Sequence, residues 1–76
     1  MPKIPDRGFC IAPRGESYAR CFPHGPRAKK DAVRAARKLA EDRSTGVDVI
    51  QVQNHGNDRF IIGEIQPKHW RRKRGR

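Results

Sequence analysis

The sequence predicts a small α+β domain in which one helix and four strands follow the order ββαββ. Two pairs of short apolar runs flank a stretch where alanines recur every three to four residues, the spacing of a helix with one buried face. Turn-forming residues separate the two runs of each pair. The chain has 76 residues, which is room for one hydrophobic core. We therefore expect an extended lead-in at 1–7, an antiparallel sheet covered on one face by the helix at 8–66, and a disordered basic tail at 67–76.

The first hairpin is predicted from apolar runs at 8–12 and 17–22, joined by a proline- and glycine-containing turn at 13–16. With that turn, Ile11 is expected opposite Tyr18. Cys10 is then opposite Ala19, with Cys21 placed diagonally from it on the same face. A disulfide between the two cysteines is geometrically conceivable in this register, but a reducing cytosol disfavours it.

The helix is predicted over residues 28–44. Its apolar side is mostly alanine, which allows close packing on a sheet, and Gly46 is expected to end it in the left-handed conformation. The apolar side consists of Ala28, Ala32, Val33, Ala35, Ala36, Leu39 and Ala40, and the opposite side carries Lys30, Arg34, Arg37, Lys38 and Glu41.

The second hairpin is predicted from β-branched runs at 47–53 and 59–65. A three-residue loop at 55–57 places Val52 opposite Phe60. Ile50 then faces Ile62, and these four side chains form the expected core face. The opposite face is expected to keep three apolar side chains: Val49, Ile61 and Ile65.

Charge is distributed unevenly along the chain. Of the net charge of +10, residues 27–45 contribute +4 and residues 67–76 contribute +6. Segregation of this kind is not needed for solubility and indicates a polyanionic partner. The chain lacks the apolar run of a membrane span or a signal peptide, and two cysteines are too few for a secreted disulfide scaffold. We therefore expect a cytoplasmic protein that does not bind membranes.

Two sets of cations are the candidate nucleic-acid-binding residues. The tail resembles arginine-rich segments that bind phosphates, and its one aromatic side chain has the chemistry to stack on an unpaired base. The helix set includes like charges four residues apart and cations near the helix N-terminus, both of which oppose helix stability. A solvated helix face and a solubility tail are the alternatives. The candidates are Lys30, Arg34, Arg37 and Lys38 on the helix, and Lys68, Trp70, Arg71, Arg72, Lys73, Arg74 and Arg76 in the tail.

No pattern in the sequence indicates catalysis, a metal or a cofactor. Cys21 and His24 have a C-x-x-H spacing, but the second half of a zinc motif is missing. No nucleophile–base arrangement and no glycine-rich phosphate loop is present. We therefore predict a non-enzymatic protein with no metal site and no cofactor.

The segments SYARCF, DAVRAARKLAED and VDVIQVQNHGNDRFIIGEI, in ββαββ order, resemble small phage and mobile-element proteins that include several anti-CRISPR proteins. This resemblance covers residues 8–66 and implies binding to a nucleoprotein effector complex, without identifying site residues. Two functions follow: binding of nucleic acid or a nucleoprotein, or inhibition of a host defence complex by protein–protein contact. The inhibitor would use one of two apolar patches. The first consists of Phe9, Ile11 and Tyr18, and the second of Val49, Ile61 and Ile65. An acidic protein partner, a ribosome-associated role and a homodimer formed through open sheet edges are further possibilities.

Overall fold

A computed structural model of the protein describes residues 3–67. Its elements are β1 (Gly8–Pro13), β2 (Arg20–Pro23), α1 (Ala28–Arg43), β3 (Val47–Gln53) and β4 (Asp58–Ile65). The strands form one antiparallel sheet in the spatial order β2-β1-β3-β4. The helix packs on one face of this sheet. The predicted α+β class and the ββαββ order are therefore confirmed.

Helix α1 packs on the sheet through a stripe of alanines four residues apart, which we call the alanine stripe: Ala28, Ala32, Ala36 and Ala40. Because alanine has only a methyl side chain, the helix backbone lies close to the buried side chains of Ile11, Val47 and Val49. Among residues 3–67 no helix is long and apolar enough to cross a membrane.

The helix ends one residue earlier than expected, and the residue that ends it is Ser44, where Gly46 was expected. Ser44 adopts the left-handed conformation, with φ of 54°, and its backbone N–H donates to the carbonyl oxygen of Ala40. The prediction that Gly46 provides this conformation was wrong. A Cβ atom at Gly46 would lie 2.6 Å from Oε2 of Glu64, which is the end of a flexible, exposed side chain that can move aside.

The first hairpin differs from its predicted register by two residues. Residues 14–19 form a longer connection than the expected four-residue turn, so β2 begins at Arg20 and Cys10 lies opposite Cys21. The two cysteines form a disulfide, with their Cα atoms 4.0 Å apart. The backbone N–H of His24 donates to the carbonyl oxygen of Arg7. Because hydrogen-bonded and non-hydrogen-bonded pairs alternate along the two strands, the cysteine pair occupies a non-hydrogen-bonded position. Side chains of opposed residues approach most closely at such positions. Tyr18 consequently lies in the connection and packs on the cysteine side of the sheet, away from the helix.

The second hairpin has a four-residue turn at 54–57, one residue longer than predicted. Gln51 therefore pairs with Phe60 and Ile50 pairs with Ile61; Ile62 is then the extra residue of a bulge, beyond which Val49 pairs with Gly63. Because neighbouring strand residues point to opposite faces, this one-residue change places Phe60 on the face of Val49 and Ile61 on the face of Ile50 and Val52.

The expected core face of the second hairpin was wrong for its β3 residues, whereas Phe60 lies on the helix side as expected. The helix covers the face that carries Val47 and Val49. Ile50 and Val52 lie on the opposite face, where they are buried in a second, smaller cluster with Cys10 and Ala12. The centre of the sheet is therefore apolar on both faces.

Candidate nucleic-acid interface

The predicted helix cations lie where the periodicity placed them. Lys30, Arg34, Arg37 and Lys38, which we call the outer cations, are all exposed on the side of α1 that faces away from the alanine stripe. Lys29 is also exposed, next to them in the first turn. These five cations of the sixteen-residue helix therefore face solvent, as does Arg43 in its last turn.

Within residues 3–67, none of these five cations makes an ion pair, whereas arginines at the other end of the molecule are paired. Arg14 binds the carboxylate of Glu64. Arg43, in the last turn of α1, lies 2.6 Å from Glu16 in the connection between β1 and β2. The positive charge of the outer face is therefore available to a ligand, while that of Arg14 and Arg43 is already neutralised.

The start of α1 concentrates positive charge at an uncapped helix end. Arg27 occupies the N-cap position and no side chain accepts a hydrogen bond from the first turn. Lys29 and Lys30 follow directly, although the partial positive charge of a helix N-terminus favours acidic side chains there. Lys30, Arg34 and Lys38 are also spaced four residues apart, and each like-charged pair at this spacing lowers the stability of the helix by about 0.2–0.5 kcal/mol. Asp31 in the first turn and Arg43 in the last turn favour the helix, so it is the placement of these cations that opposes its stability and matches the needs of an anionic partner.

The two flanks of α1 differ in charge. Ala35, Lys38, Leu39 and Asp42 line a depression together with Arg20 of β2, so this flank carries one cation and one acid and lies over the β2 edge. The other flank carries Val33 and Arg37 and therefore lies toward β4. A shallow groove of about 590 Å³ runs along this second flank. Pro26, Val33 and four cations line it, and the cations are Lys29, Lys30, Arg34 and Arg37.

A smaller cleft of about 220 Å³ lies where the helix begins. Its cationic or titratable lining side chains are Arg7, His24 and Lys29, and Gln51 of β3 lies beside them. Sequence reasoning assigned Arg7 to the lead-in and His24 to the break after β2, and it missed this cleft. The residues meet because β1 and β2 pair up to the hydrogen bond between the His24 N–H and the Arg7 carbonyl, at 2.8 Å, which no local sequence signal indicates.

The tail candidates lie outside the described residues: Lys68, Trp70, Arg71, Arg72, Lys73, Arg74 and Arg76. The described chain ends at Pro67, which is buried. Pro67 follows the end of β4, where Ile65 pairs with Val47 close to the end of α1. The tail therefore starts near the opposite end of the helix from the cleft.

The contact patches expected for a protein-binding inhibitor are mostly covered. Phe9 and Ile11 pack under the helix, and Val49 is 2% exposed, so neither predicted patch is an exposed face. Ile61 alone of these side chains is largely exposed, at 68%. Within residues 3–67 no three His, Cys, Asp or Glu side chains are grouped as metal ligands, and the sulfur atoms of both cysteines are joined to each other.

Comparison with known proteins adds no relative to this description. No protein-family model, curated protein sequence or solved structure matches the chain. The geometry and charge of the residues themselves are therefore the basis for assigning a function.

Proposed function

We propose that this protein binds nucleic acid, alone or within a nucleoprotein complex, through phosphate contacts from the outer face of α1 and from the basic tail. It acts without catalysis and without a cofactor. The observation that carries the proposal is the row of exposed helix cations that have no ion-pair partner among residues 3–67, while Arg14 and Arg43 are paired.

Phosphate contacts supply affinity, because each neutralised phosphate releases condensed counterions. Arginine forks match phosphate oxygens with two parallel hydrogen bonds, so Arg34 and Arg37 are the strongest single contacts we expect on the helix. Such contacts carry no sequence information. In the tail, Trp70 would add stacking on an unpaired base to the phosphate contacts of its neighbours.

The contribution of the helix is tested by a matched pair of double variants in the full chain. Arg34→Gln with Arg37→Gln removes two unpaired cations, and Arg14→Gln with Arg43→Gln removes two paired ones, with the same change in net charge. Binding to short oligonucleotides is measured as a function of salt by fluorescence anisotropy. We expect the first pair to flatten the slope of log K against log salt by about 1.5, since each lost phosphate contact removes 0.7 to 0.9. The second pair should leave the slope nearly unchanged. Equal effects of the two pairs would assign binding to net charge and overturn the role of the helix face.

The contribution of the tail is measured in the same titration. Replacing Arg71, Arg72, Arg74 and Arg76 by glutamine should flatten the slope by about 3, at 0.7 to 0.9 for each contact. Weak, shallow binding in the unaltered chain, insensitive to either set of changes, would overturn the proposed function. The partner would then be sought among acidic proteins, with inhibition of a host defence complex as the first activity to assay.

The proposed place of action is the bacterial cytoplasm, and the Cys10–Cys21 disulfide makes that proposal testable. Reducing compartments keep most protein thiols unpaired. Alkylation of the protein in intact cells, followed by mass measurement, reports whether the two cysteines are free or joined. Complete oxidation would contradict a cytoplasmic location and would place the protein in an oxidising compartment.

A further inference from the structure

One aromatic side chain on the helix side of the sheet is left uncovered. Phe60 of β4 lies opposite Gln51, on the same sheet face as Val49, which packs under the helix. Val49 is 2% exposed, but Phe60 is 52% exposed. On this face the helix-side core includes the inner strands and Ile65 near the end of β4, and the stretch of β4 around Phe60 stays open.

The open surface continues along β4 beyond Phe60. Gly63 lies opposite Val49 on the same face, and a Cβ atom built on it would have no neighbour within 4 Å. An open stretch of surface therefore runs beside α1, from the exposed Asp58 and the Phe60 ring, past the bulge, to the bare backbone at Gly63. We call this surface the β4 shelf.

The flank of α1 that faces away from β2 lies toward the β4 shelf and carries cations. Lys29 lines the cleft that also contains Gln51, the partner of Phe60, so the start of the helix lies at the level of the aromatic ring. Arg37 follows on the same flank two turns later. On the other flank, over β2, the cation Lys38 is accompanied by the acid Asp42.

This combination matches one class of ligand. Sequence-tolerant binders of single strands pair a positively charged groove for the backbone with aromatic rings on which bases stack. A duplex keeps its bases stacked inside and offers no ring to Phe60. We infer that the β4 shelf binds single-stranded nucleic acid, with an unpaired base stacked on Phe60 and the adjoining phosphates held by Lys29 and Arg37. This inference rests on the proposed function and adds the strand state of its ligand.

Tryptophan fluorescence tests the stacking contact directly. The chain has one tryptophan, so Trp70→Phe gives a silent background in which Phe60→Trp and Ile61→Trp are compared. Ile61 is 68% exposed on the opposite face of the sheet and serves as the matched control. On saturation with a single-stranded thymidine 12-mer, we expect the Phe60→Trp signal to fall by about half, and the Ile61→Trp signal to stay constant, because only a base in ring contact quenches efficiently. A duplex of equal length should quench neither.

Affinity gives an independent measurement that retains the native tail. Phe60→Ala should weaken binding of the single strand by about tenfold and leave duplex binding unchanged, since one stacked base contributes an effect of this order. Phe60→Tyr should retain the affinity, and Ile61→Ala should alter neither ligand. Gly63→Glu places a carboxylate on the shelf, where space is open, and should also weaken single-strand binding selectively.

The outcomes separate this inference from the proposed function. Salt-dependent binding that needs Arg34 and Arg37, but is unaffected at Phe60, would overturn the inference and keep the proposed function. If the unaltered chain bound neither single strand nor duplex at low salt, both the inference and the proposed function would be overturned. Concentration-dependent dimerisation in sedimentation, abolished by Phe60→Ala and unaffected by oligonucleotide, would overturn the inference and assign the shelf to a second copy of the chain.

Discussion

The two edge strands of the sheet differ in length, attachment and cover. Strand β2 has four residues, ends at Pro23, and is linked to β1 by the Cys10–Cys21 disulfide. Strand β4 has eight residues, is bulged, and exposes three large apolar side chains: Phe60, Ile61 and Ile62. Short edge strands, prolines and bulges all limit pairing with other chains, so both edges carry protection against aggregation, but only β4 also exposes large apolar side chains.

The width of one helix explains this difference. A helix with its side chains is about 10–12 Å across, whereas four strands at about 4.8 Å spacing extend further. One helix therefore cannot cover the whole sheet. Since α1 follows β2 in the chain and its Leu39 flank lies over β2, the uncovered strand is β4. The comparison teaches that an open edge is a geometric consequence of this ββαββ arrangement.

Of the changes that compare the two edges, removal of the disulfide should have the largest effect on the free energy of unfolding. Cys10→Ser with Cys21→Ser is expected to lower the free energy of unfolding by about 3 kcal/mol, the chain-entropy value for a loop of this size. Urea denaturation monitored by circular dichroism measures the change, with the reduced, unaltered chain as the control. Hydrogen exchange should accelerate most in β2 and least in β4. A loss below about 1 kcal/mol would show that backbone pairing holds β2 without the bond.

Glycine substitution compares the two edges through their backbone. Gly8 has φ of +153°, and a Cβ atom there would overlap the carbonyl oxygen of Phe22 in β2. Gly8→Ala should therefore cost about 2 kcal/mol of unfolding free energy. Gly63→Ala in the second hairpin is the control, because open space surrounds that position, and it should change stability by less than about 0.5 kcal/mol. Thermal and urea unfolding measure both, and equal losses would contradict the described contact at Gly8.

Truncation of one phenylalanine on each edge gives the smallest expected difference. Phe22 of β2 packs against the helix-side core, and Arg20 lies over its ring at 4.9 Å from the ring centre. Phe60 of β4 is more than half exposed, at 52%. Phe22→Ala should therefore cost about 1 kcal/mol more unfolding free energy than Phe60→Ala, in proportion to the apolar area withdrawn from water. Equal costs in urea denaturation would mean that Phe60 is covered in solution.

Local patterns in the sequence were sufficient for the helix and for its charged face. The spacing of Ala32, Ala36 and Ala40 identified the buried side, and the same periodicity placed Arg34 and Arg37 in solvent. These properties depend on neighbours three or four residues away, which the sequence displays directly. The outer cations of the candidate interface could therefore be predicted one by one.

The strand registers could not be predicted, because they depend on the lengths of two connections. A longer first connection brought Cys21 opposite Cys10 and made a disulfide of two residues expected to lie diagonally. One more residue in the second turn put Phe60 on the face of Val49 and Ile61 on the face of Val52, where the opposite had been expected, and the bulge at Ile62 follows. The cleft with Arg7 and the β4 shelf follow from these registers, so sequence reasoning missed both.

The sequence by itself determined the α+β class, the order of elements and the basic character of the helix face, since these follow from composition and short-range periodicity. Tertiary structure alone decided which sheet face the helix covers, which cysteine atoms meet and which edge stays open. The physical reason is that strand pairing joins residues far apart in the chain, and a shift of one residue reverses every side chain beyond it.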